Sequence, residues 1–315
     1  MRNGHAATVS ARFLRVAGTG FLSLVCGFCP FAWSDEQARL TIRFADGRSQ
    51  FRQGEVIALE LQFTSSISDT YTVSTRSYDR SGRLDTDQVF VMPESRDPLH
   101  DYFKGLLGGF VGGGLSGFRT LAEEPYVYRL EINEWVAFDR PGRYTIEITS
   151  SRVSRYDQLT GQAVPVMLRS NPLEFDIEEV DAAWQARILA DAIATLDSAA
   201  SDDVQRGRAR SVLRFLDSPA ALAELVRRLG DPEEISWWDW KAGLLATRHR
   251  TIAREELQRG LSAPGVAVTY EYVVTLATIR FLLEHPEPLP PYPPPNTAEQ
   301  EAWRALQQER WRILQ

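Results

Sequence analysis

The chain has 315 residues, 43% of them hydrophobic and 24% charged, with a formal net charge of −7. That length suits two domains, and the balance is that of a globular chain rather than a disordered or fibrous one. The acidic surplus disfavours non-specific binding to nucleic acid and to anionic membrane surfaces.

Residues 1–34 read as a secretory signal peptide. Arg2, Arg12 and Arg15 precede an apolar stretch from Val16 to Trp33, and Ala32-Trp33-Ser34 places small residues two apart before Asp35, as cleavage requires. Those arginines are the only charges of the leader, so the cleaved chain is more acidic by three. The expectation is an exported protein, periplasmic, cell-surface or secreted, with no stable membrane insertion after cleavage. The alternative is a retained anchor, but Gly18, Gly20, Gly27 and Pro30 make a poor spanning helix. Cys26 and Cys29 are the two cysteines. Cys26 follows Ser23-Leu24-Val25, a poor lipoprotein box, and ordinary cleavage leaves a chain without disulfides, thiol chemistry or cysteine-ligated metal.

Residues 35–179 read as strands. Leu40, Ile42 and Phe44 alternate with polar residues, as do Ile57, Leu59, Leu61 and Phe63, then Tyr144, Ile146 and Ile148, then Leu173, Phe175 and Ile177. Such alternation buries one face of a strand. Asp46-Gly47, Gln53-Gly54, Ser81-Gly82, Pro141-Gly142 and Thr160-Gly161 supply the turns. Seven or so such strands predict an antiparallel β-sandwich. Pro141-Gly142-Arg143-Tyr144 sharpens this to an immunoglobulin-like sandwich, which often sets a tyrosine at a strand corner with its hydroxyl on nearby backbone. Pro93 to Thr120 breaks the pattern. It is long for a connection, and it interleaves seven glycines from Gly105 to Gly117 with Leu106, Leu107, Phe110, Val111 and Leu115. Long connections are often functional.

Residues 180–285 read as helices over Asp181–Leu196, Asp202–Leu216, Pro219 to Gly230, Trp237–Thr247, Thr251–Leu261 and Val266–Leu283. Ser218-Pro219 opens the third in cap-then-proline order and Gly230 closes it. Val212, Leu213, Ala221, Leu225 and Leu229 recur 32 residues on as Leu244, Leu245, Ala253, Leu257 and Leu261. A fixed offset of this kind predicts stacked helical hairpins, a short α-helical solenoid. Residues 286–296 form a proline-rich linker, read as extended polyproline II. Residues 297–315 form a last helix capped by Thr297, which must dock to cover Trp303 and Trp311.

Four segments, Asp97-Pro98-Leu99, Gly112 to Ser116, Asn133-Glu134-Trp135 and Phe138 to Tyr144, resemble a group of exported bacterial proteins of uncharacterised activity. In these an immunoglobulin-like region precedes HEAT-like helical repeats. The resemblance implies an immunoglobulin-like antiparallel β-sandwich followed by a HEAT-like α-helical solenoid, and a scaffold role. It carries over no catalytic residue.

Catalytic, cofactor and metal sites are not predicted. The glycine-rich stretch lacks the Gly-Lys-Ser/Thr ending of a phosphate loop and misses a Gly-x-Ser-x-Gly elbow by one position. His100, His249 and His285 lie in different segments without a second ligand nearby. Glu123-Glu124 and Glu178-Glu179 read as solvated pairs. The candidate partner-binding residues are Leu106, Leu107, Phe110 and Val111 in the glycine-rich stretch, and Trp237, Trp238 and Trp240 in the densest aromatic cluster. The predicted function is a non-catalytic scaffold or interaction protein of the cell envelope, with an unknown protein or envelope polymer as partner. A carbohydrate- or peptidoglycan-binding module using the tryptophans is the alternative, and a hydrolase the third reading.

Overall fold

The computed structural model describes residues 37–76, 86–100, 117–157, 162–234, 236–286 and 297–314. The leader and its cleavage site, the glycine-rich residues 101–116, the turns at Ser81-Gly82 and Thr160-Gly161, and all but Pro286 of the proline tract lie outside them. All described residues belong to one compact unit, Trp33–Gln315.

Ten strands come first among the described residues. β1 (Ala38–Phe44), β3 (Ala58–Ser65) and β7 (Tyr126–Glu131) form an antiparallel sheet in the order β1-β3-β7. The second sheet has seven strands. Its spine is β8 (Gly142–Asp157), sixteen residues long, which takes β10 (Leu173–Glu178), β9 (Gln162–Arg169), β5 (Asp87–Met92) and β4 (Tyr71–Ser74) as antiparallel partners. β6 (Phe118–Thr120) extends the sheet from β4. β2 (Gln50–Arg52) extends it from β10, and it does so in parallel, Phe51 beside Ile177. A register shift between Ser150 and Val153 lets β8 change partners along its length, the usual role of a bulge.

The period-two reading places the right residues inward. Leu40, Ile42, Leu59, Leu61, Phe63, Tyr144, Ile146, Ile148, Phe175 and Ile177 from both sheets share one core. The fold expectation is corrected, however. The strand half is a mixed sheet region with a parallel pair and a sixteen-residue hub strand, not an immunoglobulin-like antiparallel β-sandwich. Among the described residues the C-terminal half is a group of seven α-helices rather than the HEAT-like α-helical solenoid that completed the expectation. Alternation reports which face of a strand is buried; it carries no information on neighbour order or direction. β2, three residues long, meets β10 across more than a hundred residues of chain, and no local signal announces that.

The tyrosine corner stands without the fold it suggested. Tyr144 is buried and its hydroxyl donates to the Arg140 carbonyl at 2.8 Å. Its ring lies 5.2 Å from Phe138 and 5.8 Å from Phe175.

Two asparagines complete the strand hydrogen bonding. Asn171 takes the Ile42 N–H at 2.8 Å and donates to the Ile42 carbonyl at 3.2 Å. Asn133 likewise takes the Ile57 N–H at 2.7 Å and donates to the Glu55 carbonyl at 3.0 Å. Each side-chain amide pairs like a strand residue and closes backbone groups that would otherwise stay open.

The helices are α1 (Ala182–Asp197), α2 (Asp203–Phe215), α3 (Pro219–Leu229), α4 (Trp237–Ala246), α5 (Arg250–Gly260), α6 (Tyr270–Glu284) and α7 (Ala298–Leu314). Caps set several starts. Asp181 accepts from Ala183 and Trp184, Asp202 forms a capping box with Gln205, Ser218 accepts from Ala221 ahead of Pro219, and Thr269 accepts from Tyr272. α4 touches α2, α3 and α6, and α5 touches α3 and α6. Leu213, Leu225, Leu244, Leu245, Leu257 and Ile279 fill the common core. Along the 32-residue echo, Leu225 and Leu257 are both buried, as are Ala221 and Ala253. The last pair parts: Leu229 is 2% exposed and Leu261 43%. Leu261 lies just past the end of α5, where the chain turns away. α7 docks through Trp303, Leu306 and Ile313 on the helical core.

Candidate functional site

The strand half and the helical half are joined by a polar junction. The segment after β5 reaches the helices first. Leu99, 2% exposed, sits in the helical core with Leu213 and Leu244, its N–H held by the Asp97 carboxylate at 3.0 Å. Arg96 donates to the Ala246 carbonyl at the end of α4, 3.2 Å away, and pairs with Asp139 at 3.4 Å. Its own carbonyl accepts from Ala137.

The turn between β2 and β3 makes the second contact. Gly54 has φ +82, and a Cβ there would lie 2.8 Å from the Leu216 carbonyl oxygen at the end of α2. Glycine is required twice over, by the left-handed backbone and by the approach. Arg52 lies over the Trp184 ring at 5.5 Å, which ties the same turn to α1.

Charges make the third contact. Arg214 on α2 pairs with Glu134, in the 3-10 turn Ile132–Glu134, at 3.0 Å, and with Asp239 on α4 at 3.3 Å. Arg210 pairs with the same Asp239 at 3.3 Å. Ser211 donates to Glu131 at 2.7 Å. Burial pushes the Glu131 and Asp239 carboxyls above their ordinary range.

A cavity of about 60 Å³ lies within this junction. Arg96, Phe138, Asp139, Leu216, Asp217 and Arg248 are among its walls. Asp217 occupies a left-handed backbone position, φ 44, between α2 and α3. Its carboxylate accepts from the Thr247 hydroxyl and lies 3.4 Å from the Arg248 guanidinium. Burial raises its carboxyl as well. The arrangement ties the α2–α3 corner to the α4–α5 corner. The space is of the order of a few waters.

The tryptophans expected to meet a partner are buried to different depths. Trp240 is fully buried, with the Arg228 guanidinium 5.6 Å from its ring. Trp237 and Trp238 are half-buried against the helical core, their rings 6.1 Å apart and at 86° to each other. Lys241 lies 5.7 Å from the Trp237 ring and pairs with Glu271 on α6 at 2.7 Å. The other candidates, Leu106, Leu107, Phe110 and Val111, lie outside the described residues.

The histidines remain separate in role. The His100 N–H reaches the Asp97 carbonyl, His249 begins α5 beside Arg248, and His285 stacks 4.4 Å from Phe281 after α6. Glu123, Glu124, Glu178 and Glu179 are exposed. Among the described residues no cluster of His, Cys, Asp and Glu could hold a metal ion, and no helix is long and apolar enough to cross a membrane.

Sequence reasoning misses the junction residues. Arg96, Arg214 and Asp217 carry no local mark of their partners, which lie on other elements. Leu99 does stand in a segment singled out by resemblance, but its burial among helices depends on the fold. No known family model matches the chain, and no curated protein matches it significantly.

Proposed function

We propose that the protein is an exported, non-catalytic scaffold that presents a fixed surface to a protein or polymer of the cell envelope. The observation that carries this reading is the junction. Leu99, the Gly54–Leu216 approach and the Arg214 pairs fasten the strand half to the helices through apolar, backbone and ionic contacts at once. The charged groups there hold element to element, and several of them also wall the junction cavity. A body fastened in this way keeps surfaces of both halves in constant register, which is what a multi-contact partner needs. The perpendicular, half-buried Trp237 and Trp238 weigh against the carbohydrate alternative, because a sugar platform uses an exposed ring face.

The test is retention on two matrices. The purified chain, immobilised, is exposed to an envelope protein extract and, separately, to purified peptidoglycan. The expected result is recovery of a defined protein partner and no retention of peptidoglycan. Retention of peptidoglycan that Trp238→Ala abolishes would replace this reading with the glycan one. Mass spectrometry of the mature N-terminus tests export: loss of about the first 34 residues is expected from the leader, and a cytoplasmic chain that retains Met1 would overturn it.

A further inference from the structure

The contact of β7 with α2 buries a carboxylate among other acids. Glu131 ends β7, and the donor that α2 brings to it is a neutral hydroxyl, Ser211 at 2.7 Å. Glu134 faces the same contact from the 3-10 turn, and Asp239 faces it from α4. Against these three carboxylates α2 sets two guanidinia, Arg210 and Arg214. Both are engaged by Asp239, and Arg214 also by Glu134. Arg129, on the same strand as Glu131, is exposed and stands opposite Glu60 in register. The contact therefore holds one acid more than α2 can match.

We infer that this junction takes up a proton at Glu131, and that β7 and α2 hold each other more tightly as pH falls from neutral toward the ordinary carboxylate range. Burial is the main force raising the Glu131 carboxyl. The Ser211 hydroxyl opposes it, Glu134 adds to it, and Arg214 and Arg129 oppose it. Asp239 moves in the same direction, again chiefly through burial, with Arg214 and Arg210 opposing and Glu134 and Glu234 adding. At pH above its raised value the glutamate is ionised whether β7 and α2 are apart or together, and docking removes water from a charge. As pH falls through the raised value the docked form binds the proton first, and stability rises. The gain is complete below the ordinary glutamate value of 4.5. The junction is thus a proton-linked contact, looser at neutral pH and tighter in acid.

Hydrogen exchange of the full chain tests this at about pH 7 and about pH 5, with rates corrected for their intrinsic pH dependence. Protection of Tyr126–Glu131 and Asp203–Phe215 should rise several-fold at the lower pH relative to β1 and α5. Glu131→Gln keeps the acceptor oxygen for Ser211 and removes the charge, so its protection should already be high at the upper pH, with only the smaller further rise that Asp239 supplies. Unchanged protection in the unsubstituted chain overturns the inference, as does a Gln variant whose pH response is as large as that of the unsubstituted chain. The unsubstituted chain decides the direction by itself, so a variant that fails to fold leaves the test intact.

Discussion

Tyr144, Asp87 and Gly260 show how single residues hold this structure. The Tyr144 hydroxyl is the donor for the Arg140 carbonyl beneath a turn. Tyr144→Phe should cost about 1 kcal/mol, read as a lower thermal midpoint, because a buried acceptor loses its partner. Asp87 is more demanding. Its carboxylate meets the Arg152 Nε at 2.6 Å and the Ser150 hydroxyl at 2.7 Å, with both ionic side chains 1% exposed. Arg152 also donates to the Ser74 and Arg76 carbonyls and lies 4.1 Å from the Tyr128 ring. Asp87→Asn leaves a buried guanidinium without its counter-charge and should cost about 3–5 kcal/mol in denaturant unfolding. At Gly260 a Cβ would collide with the Tyr272 hydroxyl, which donates to the Leu257 carbonyl at 2.8 Å and whose pKa burial pushes up to about 12. Gly260→Ala should destabilise by about 1–3 kcal/mol, as overpacking does. A variant as stable as the parent would show that α6 can shift to make room. Of these three, the sequence marks Tyr144 alone, since its turn is local; the partners of Asp87 and Gly260 come from other elements.

At the scale of elements, the helix boundaries are legible because caps are local chemistry. Asp181, Ser218-Pro219 and Thr297 each stand where a helix begins. Val266 marks the start of α6 too early, because its apolar character comes from packing near Gly230 rather than from the helix, which begins at Tyr270. The echo between the helices foretells burial at Leu213 and Leu245, Ala221 and Ala253, and Leu225 and Leu257, but not at Val212, half-buried where Leu244 is buried, nor at Leu261, past the end of α5. Leu257 lies fully buried on α5, so Leu257→Ala should cost about 2–5 kcal/mol. Leu261→Ala, at an exposed position, should cost under about 0.5 kcal/mol. Equal losses at both sites by chemical denaturation would refute the difference in packing. The strands are legible one at a time, but β8 is not. Sixteen residues that serve β10 and β9 along one stretch each, and β5 and β4 along others, cannot be told from a shorter strand by alternation.

For the whole molecule, the junction makes the two halves one mechanical body. Leu99 belongs to the strand half by sequence and to the helical core by contact. Unfolding followed by tryptophan fluorescence, which reports mainly α1, α4 and α7, should therefore coincide with unfolding followed by far-ultraviolet dichroism. Leu99→Ala should lower both transitions together, by about 2–5 kcal/mol; two separated transitions in the parent chain would mean that the halves are independent. The sequence by itself determined the order of strands then helices, the inward face of each strand and the capped starts of the helices. Each of these comes from side-chain periodicity or from hydrogen bonds a few residues long. The tertiary structure alone decided the parallel pairing of β2 with β10, the hub role of β8, the burial of Trp240 and the charged junction around Arg214. These join residues far apart in the chain, and no short-range pattern records which distant group a buried strand, ring or charge will meet.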